Sequence, residues 1–186
     1  MKKFKYALAL ALLLSVLTLF LKVEQVNAVS AEFDGDIIRL FYQPTGEHLY
    51  TLDQNEIKVL TKRGWRNEGL LATSYANVNA DEKRAVHRLY NKVSKNHLYT
   101  NDNNEIKVLI KGDWTDEGTA FYEYIGNRRG MLVLTHRLYN PKSGEHLYSR
   151  DSNEVTTLVK LAWQEDNTMF LFVNQATDNT GPENPV

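Results

Sequence analysis

Cysteine is absent from the 186-residue chain. That excludes a disulfide framework, thiol chemistry and lipidation at a cysteine behind an apolar leader. Stability must come from a packed core. Basic runs are also missing: 22 Lys and Arg stand against 23 Asp and Glu, which argues against nucleic acid or an anionic membrane surface as a partner. The sequence contains no His-x-x-x-His or His-Glu-x-x-His, the helical spacings that hold zinc. It has no Gly-x-Ser-x-Gly elbow and no phosphate-binding loop,. No catalytic residue, metal or cofactor is expected.

The first segment reads as a targeting signal. Lys2, Lys3 and Lys5 precede an apolar run from Tyr6 to Leu21, and Val26-Asn27-Ala28 supplies small residues for cleavage,. The run is short for a membrane span, which needs about 20 apolar residues. Residues 1–28 are thus expected to be a signal peptide, cleaved after Ala28 or Ala31. Only an uncleaved segment would bring a membrane into play. Cleavage removes Lys2, Lys3, Lys5 and Lys22 against Glu24, leaving 18 basic and 22 acidic residues. Residues 29–36 read as a linker and 174–186 as a polar tail. The roughly 150 residues that remain suffice for one core.

An internal repeat dominates the rest. Residues 37–75, 86–124 and 135–173 align without a gap at a period of 49. Eleven positions are identical in all three copies: Arg39, Leu40, His48, Leu49, Tyr50, Asp53, Asn55, Glu56, Leu60, Lys62 and Trp65, with their counterparts 49 and 98 residues later. Units of this length cannot bury a face alone and must stack.

Each unit reads as strand, turn, strand, helix, strand. In the third copy His136-Arg137-Leu138-Tyr139 is a strand, Asn140 to Glu145 a turn with Pro141 and Gly144, and His146-Leu147-Tyr148-Ser149 the return,. Asp151 and Glu154, like Asp53/Glu56 and Asp102/Glu105, form a capping box. Ile106, Leu109 and Ile110 then follow at helical spacing, and Gly64 and Gly112 sit near helix ends. The connectors 76–85 and 125–134 read as loops, with Arg128-Arg129-Gly130 a loop tip and Met131 to Leu134 leading into the first strand of the third unit. An open array of three units leaves two uncapped ends, so the expected fold is a compact α+β domain of three ββαβ-type units closed with pseudo-threefold, trefoil-like or propeller-like symmetry, spanning residues 37–173.

Capping claims the repeated Asp and Glu, and the core claims Leu40, Leu49, Leu60 and, as wedges between layers, Trp65, Trp114 and Trp163. Side chains alternate along a strand. If Leu40 and Leu49 face the helix, then Arg39, Phe41, His48 and Tyr50 share the opposite face. Arg88, Tyr90, His97 and Tyr99 do so in the second copy, and Arg137, Tyr139, His146 and Tyr148 in the third. These twelve are the candidate ligand-binding residues: rings can stack on sugar faces while Arg and His donate to hydroxyls or carboxylates. The alternative is a buried polar layer between units. The three His could also meet on a pseudo-axis around a metal, a weaker reading because no ligand cluster lies close in sequence.

Arg137-Leu138-Tyr139-Asn140-Pro141-Lys142-Ser143-Gly144-Glu145-His146-Leu147-Tyr148, followed by Asp151, Glu154 and Trp163, resembles a bacterial repeat family of unknown function with the form R-L-Y-N-P-x-S-G-E-H-x-Y-T, a short helix, then G-W-x-x-E-G-x-A-F/W-Y. The first copy matches at Arg39 to Tyr42 and Thr45 to Tyr50. In the second, Val93, Lys95 and Asn96 stand where the first has Pro44, Gly46 and Glu47; the third reads Ala162-Trp163-Gln164-Glu165-Asp166-Asn167 and lacks the Gly-Trp and Glu-Gly pairs. The resemblance implies three tandem copies in an exported protein, a family often attached to cell-wall hydrolases or other glycan-active domains. It carries over no catalytic or binding residue.

The expected function is a secreted, non-catalytic binding module at the envelope of a Gram-positive bacterium, with a glycan or cell-wall polymer as partner. The alternative is a secreted protein-interaction factor, such as an inhibitor, immunity protein or bacteriocin-like effector, binding a secreted or surface protein.

Overall fold

A computed structural model of the protein describes residues 35–74, 78–126 and 132–173. The signal segment, most of the linker, the polar tail and the Arg128-Arg129-Gly130 tip lie outside the described residues.

Each copy forms an antiparallel three-stranded meander with one helix between its second and third strands. The first copy comprises β1 (Gly35–Tyr42), β2 (Glu47–Thr51), α1 (Gln54–Lys62) and β3 (Arg66–Ser74). The second comprises β4 (Lys83–Asn91), β5 (His97–Thr100), α2 (Asn103–Leu109) and β6 (Trp114–Tyr124). The third comprises β7 (Leu132–Tyr139), β8 (His146–Ser149), α3 (Ser152–Lys160) and β9 (Gln164–Val173). Two of the three first strands start earlier than expected: Gly35 and Asp36 belong to β1 rather than to a linker, and the first connector ends in strand at Lys83. In the second connector Leu132 to Leu134 open β7, as expected. A 3-10 turn, Ala80–Glu82, occupies part of the first connector.

Strand pairing does not repeat with the sequence. A single pair, Thr73↔Val173, joins β3 to β9 and merges the first and third meanders into a six-stranded sheet, ordered β2-β1-β3-β9-β7-β8. The second meander stands alone as β5-β4-β6. The pairing therefore defines a mixed α/β fold of antiparallel sheets with three helices, and by itself neither a trefoil nor a propeller.

Local chemistry explains the helices. Asp53, Asp102 and Asp151 are N-caps in extended backbone, and their carboxylates accept the amides of Asn55 and Glu56, of Asn104, and of Asn153, satisfying donors the first turn leaves open. The expected reciprocal half of the capping box is not used. The amide of each capping Asp instead donates to a hydroxyl two residues earlier: Thr51, Thr100 and Ser149. Glu56, Glu105 and Glu154 are thereby released and point to the neighbouring copy.

The apolar residues divide into two kinds of cluster. Under each helix, a small cluster joins the expected leucines to the tryptophan: Leu40, Leu49 and Ile57 with Leu60 and Trp65, then Leu89, Leu98 and Ile106 with Trp114, then Leu138, Leu147 and Val155 with Trp163. All three copies meet in one larger core that holds Ile37, Val86, Tyr50, Tyr99, Tyr148, Phe121, Phe170 and Phe172.

Candidate binding site

The twelve expected residues do not form three free faces. Tyr50, Tyr99 and Tyr148 lie in the central core, each 1% exposed. Their hydroxyls tie the copies together in a cycle. The amide of Tyr50 donates to the Tyr99 hydroxyl, that of Tyr99 to Tyr148, and that of Tyr148 to Tyr50, at 2.9, 2.8 and 2.8 Å. Each hydroxyl then donates onward to a carbonyl: Tyr50 to Tyr148, Tyr99 to Tyr50 and Tyr148 to Tyr99. The three rings meet edge to face, 5.2–5.5 Å apart, a favoured aromatic geometry. Burial holds all three phenols protonated, with pKa values above the ordinary one. The expectation that these rings stack on ligand is corrected: no ring face is open, because each tyrosine supplies core volume and pairs backbone groups of another copy.

The arginines and histidines lie at the seams between copies. Arg39 Nη1 donates to Glu154 at 2.8 Å, Arg88 to Glu56 at 3.0 Å and Arg137 to Glu105 at 2.9 Å. Each arginine thus reaches the helix glutamate of another copy, and the pairs run through all three. A second carboxylate from its own meander meets each Nε: Glu68, Glu117 and Asp166, at 2.9, 2.6 and 2.5 Å. Burial opposes charge on these arginines, but the carboxylates, with the buried tyrosines beside them, outweigh it and raise all three above the ordinary value. Positive-φ Gly69 and Gly118 mark irregularities in β3 and β6. A bulge re-aims side chains, and Glu68, unpaired in the β1–β3 register, lies against Arg39 and His48.

His48 Nδ1 lies 2.5 Å from Glu145, and His97 Nδ1 lies 2.6 Å from Glu47. Phe41, Tyr90 and Tyr139 pack against the histidines at 4.7–5.0 Å. The third histidine differs. At the position of Glu47 and Glu145 it would meet Asn96, and His146 Nδ1 is buried with no hydrogen-bond partner. Burial, then the charge of Arg137, push its pKa down to about 4. The histidines occupy different seams, and among the described residues no group of three or more His, Cys, Asp or Glu could hold a metal ion.

One seam opens. Between the third and first copies lies a cleft of about 200 Å³, lined by Arg39, Glu68, Leu70, Leu71, Ser149, Arg150, Asp151 and Glu154. Of these only Arg39 is a candidate binding residue from sequence. Asp151 and Glu154 read there as a capping box, and Glu68 lies in the Glu-Gly pair that follows Trp65 in the repeat motif. Arg150 carried a usable signal: the three copies place Leu52, Asn101 and Arg150 at one otherwise equivalent position. Glu68 is held below the usual carboxylate range. Burial alone would raise it, but the hydrogen bond from Arg66 and the charges of Arg39 and His48 win.

These features define a class of protein: three meander-and-helix units locked by a tyrosine core, with polar seams and a cleft at the seam between the third and first copies. The chain belongs to the family described as Domain of unknown function (DUF5648), whose model matches residues 20–124 and 133–183. No curated protein and no solved structure matches it.

Proposed function

We propose that this is a secreted, non-catalytic binding module for a glycan, with cell-wall polymer the best-fitting ligand, built as a closed pseudo-threefold array. The cyclic tyrosine bonds and the arginine pairs running through all three copies support closure. The observation that carries the binding role is the open cleft. Its polar rim offers donors and acceptors to hydroxyls, and Leu70 and Leu71 offer an apolar floor to a ring face. At about 200 Å³ it is smaller than the roughly 300–1,000 Å³ of sites for drug-sized ligands, and suits one residue of a polymer. Its carboxylates are committed elsewhere. Glu68 is kept ionised by Arg66 and Arg39, Glu154 bonds Arg39 and Ser149, and Asp151 caps α3. None is poised as the proton donor that glycoside cleavage requires.

The test is co-sedimentation of the purified chain with isolated cell wall. Retention that is lost after enzymatic digestion of the glycan supports the reading; full recovery in the supernatant rejects it. A second reading, a protein-interaction factor, is favoured by apolar side chains exposed near the helix ends, Val108 and Ile110 on one copy and Val159 and Leu161 on another. It predicts capture by whole cells that survives glycan digestion and is abolished by protease treatment of the cells.

A further inference from the structure

The position shared by Leu52, Asn101 and Arg150 separates the open seam from the other two. Leu52 packs against the central core together with Ala120. Asn101 donates to Glu123 Oε1 at 2.6 Å. Both side chains turn inward. Arg150 is exposed, lines the cleft, and has no ion pair or hydrogen bond among the described residues. Every other charge of the cleft is answered from within. Arg39 is shared by Glu68 and Glu154. Glu68 also takes Arg66, and Glu154 also accepts the Ser149 hydroxyl. Asp151 accepts the Asn153 amide at the start of α3. The lining carries two guanidinium groups and three carboxylates, and Arg66, paired with Glu68 from outside the lining, balances the third carboxylate. The one charged group left for a partner outside the chain is Arg150.

A guanidinium presents a planar fork of N–H donors that matches a pair of anionic oxygens. We infer that the cleft binds an anionic oxygen group, carboxylate or phosphodiester, carried on a hydroxyl-rich polymer, and that Arg150 is the residue that selects it. The polymer rests on the glycan-binding reading above; the anion and its residue do not follow from that reading. The site is single, because the other two copies fill the same position with Leu52 and Asn101.

The experiment compares the purified chain with Arg150→Leu and Arg150→Asn, the residues its own other copies use there. Calorimetric titration is run against polygalacturonate, its methyl-esterified neutral form, polyglycerol phosphate and soluble peptidoglycan fragments. The chain is expected to bind one of the two anionic polymers about tenfold more tightly than the neutral ester, the order expected of a charge-assisted hydrogen-bonded pair. Both substitutions should erase that preference without moving the melting temperature, since Arg150 is exposed. Preference for polygalacturonate identifies a carboxylate; preference for polyglycerol phosphate identifies a phosphodiester. Binding of neither anionic polymer more tightly than the neutral ester, or variants that keep the preference, overturns the anion inference while leaving glycan binding in place. Binding to none of the four polymers overturns both.

Discussion

The tyrosine core and the seams around it are built from the same repeat, yet one is symmetric and the other is not. In the core, Tyr50, Tyr99 and Tyr148 make the same two hydrogen bonds each, and any change would strand a backbone group of a neighbour. At the seams the three copies diverge at few positions with large consequences. Glu47 and Glu145 give way to Asn96, which leaves His146 without the carboxylate its counterparts have. Leu52 and Asn101 give way to Arg150, where the cleft opens. Beside the tyrosines, within the core itself, Ile37 and Val86 give way to Thr135, fully buried, its hydroxyl unpaired. Symmetry is enforced where each copy must satisfy the next, and individuality is tolerated around that centre.

The comparison breaks most severely at a tyrosine. Tyr99→Ala removes a buried aromatic ring, at about 3–5 kcal/mol, and strands the amide and carbonyl of Tyr50, at about 1–3 kcal/mol. A loss near 5 kcal/mol or more in chemical denaturation is expected. Tyr99→Phe, which keeps the ring, should lose about half as much. If Phe is neutral, the hydrogen-bond cycle contributes nothing to holding the copies together.

The seams are sharpened by Asn96→Glu. His146 is faced by Arg137, Asp166 and Glu105, and stays neutral in the fold down to about pH 4, whereas an unfolded histidine takes up a proton below about 6.5. The unfolded chain therefore binds more protons between those values. The stability from a neutral His146 is complete above about pH 6.5, declines as pH falls toward about 4, and declines no further below it. The effect is on the order of 3 kcal/mol. Asn96→Glu restores the carboxylate found beside His48 and His97. Its expected effect is to raise the His146 pKa, followed by NMR titration, and to flatten this decline in melting temperature; an unchanged titration would show that the missing carboxylate is not what distinguishes the seam.

The smallest expected effect concerns Thr135. Thr135→Val supplies the β-branched apolar shape that Ile37 and Val86 already use and removes an unpaired buried hydroxyl,. A gain of about 1 kcal/mol is expected from thermal unfolding. A loss would mean that the hydroxyl is satisfied by a partner and that the third copy has its own reason for threonine.

Much of the architecture was legible in the sequence because it rests on contacts between near neighbours. The period of 49, the strand-turn-strand-helix-strand order and the Asp caps all follow from turn chemistry, helical spacing and a carboxylate within reach of the next amides. So does the separation of Leu40 and Leu49 from Arg39 and His48, since alternation puts them on opposite faces of one hairpin. The polar face itself was legible, and so was the alternative of a buried layer between units, in which Arg and His meet carboxylates of other copies; how that layer divides was not. Tyr50 and Arg39 read alike along a strand, but packing against the other copies sends one to the centre and the other to a seam.

Sequence alone thus determined what each copy is, and the tertiary structure decided what the copies do to one another. Glu56, Glu105 and Glu154 show the physical reason. Three residues from a capping Asp, each has a local partner in reach, and local spacing favours the capping box. A hydroxyl two residues before the Asp takes that role instead, and an arginine 32 or 115 residues away takes the carboxylate. A contact at that separation depends on how whole units pack, and the same packing sets Arg39 and Glu68 of the first copy opposite Arg150 and Glu154 of the third to form the cleft.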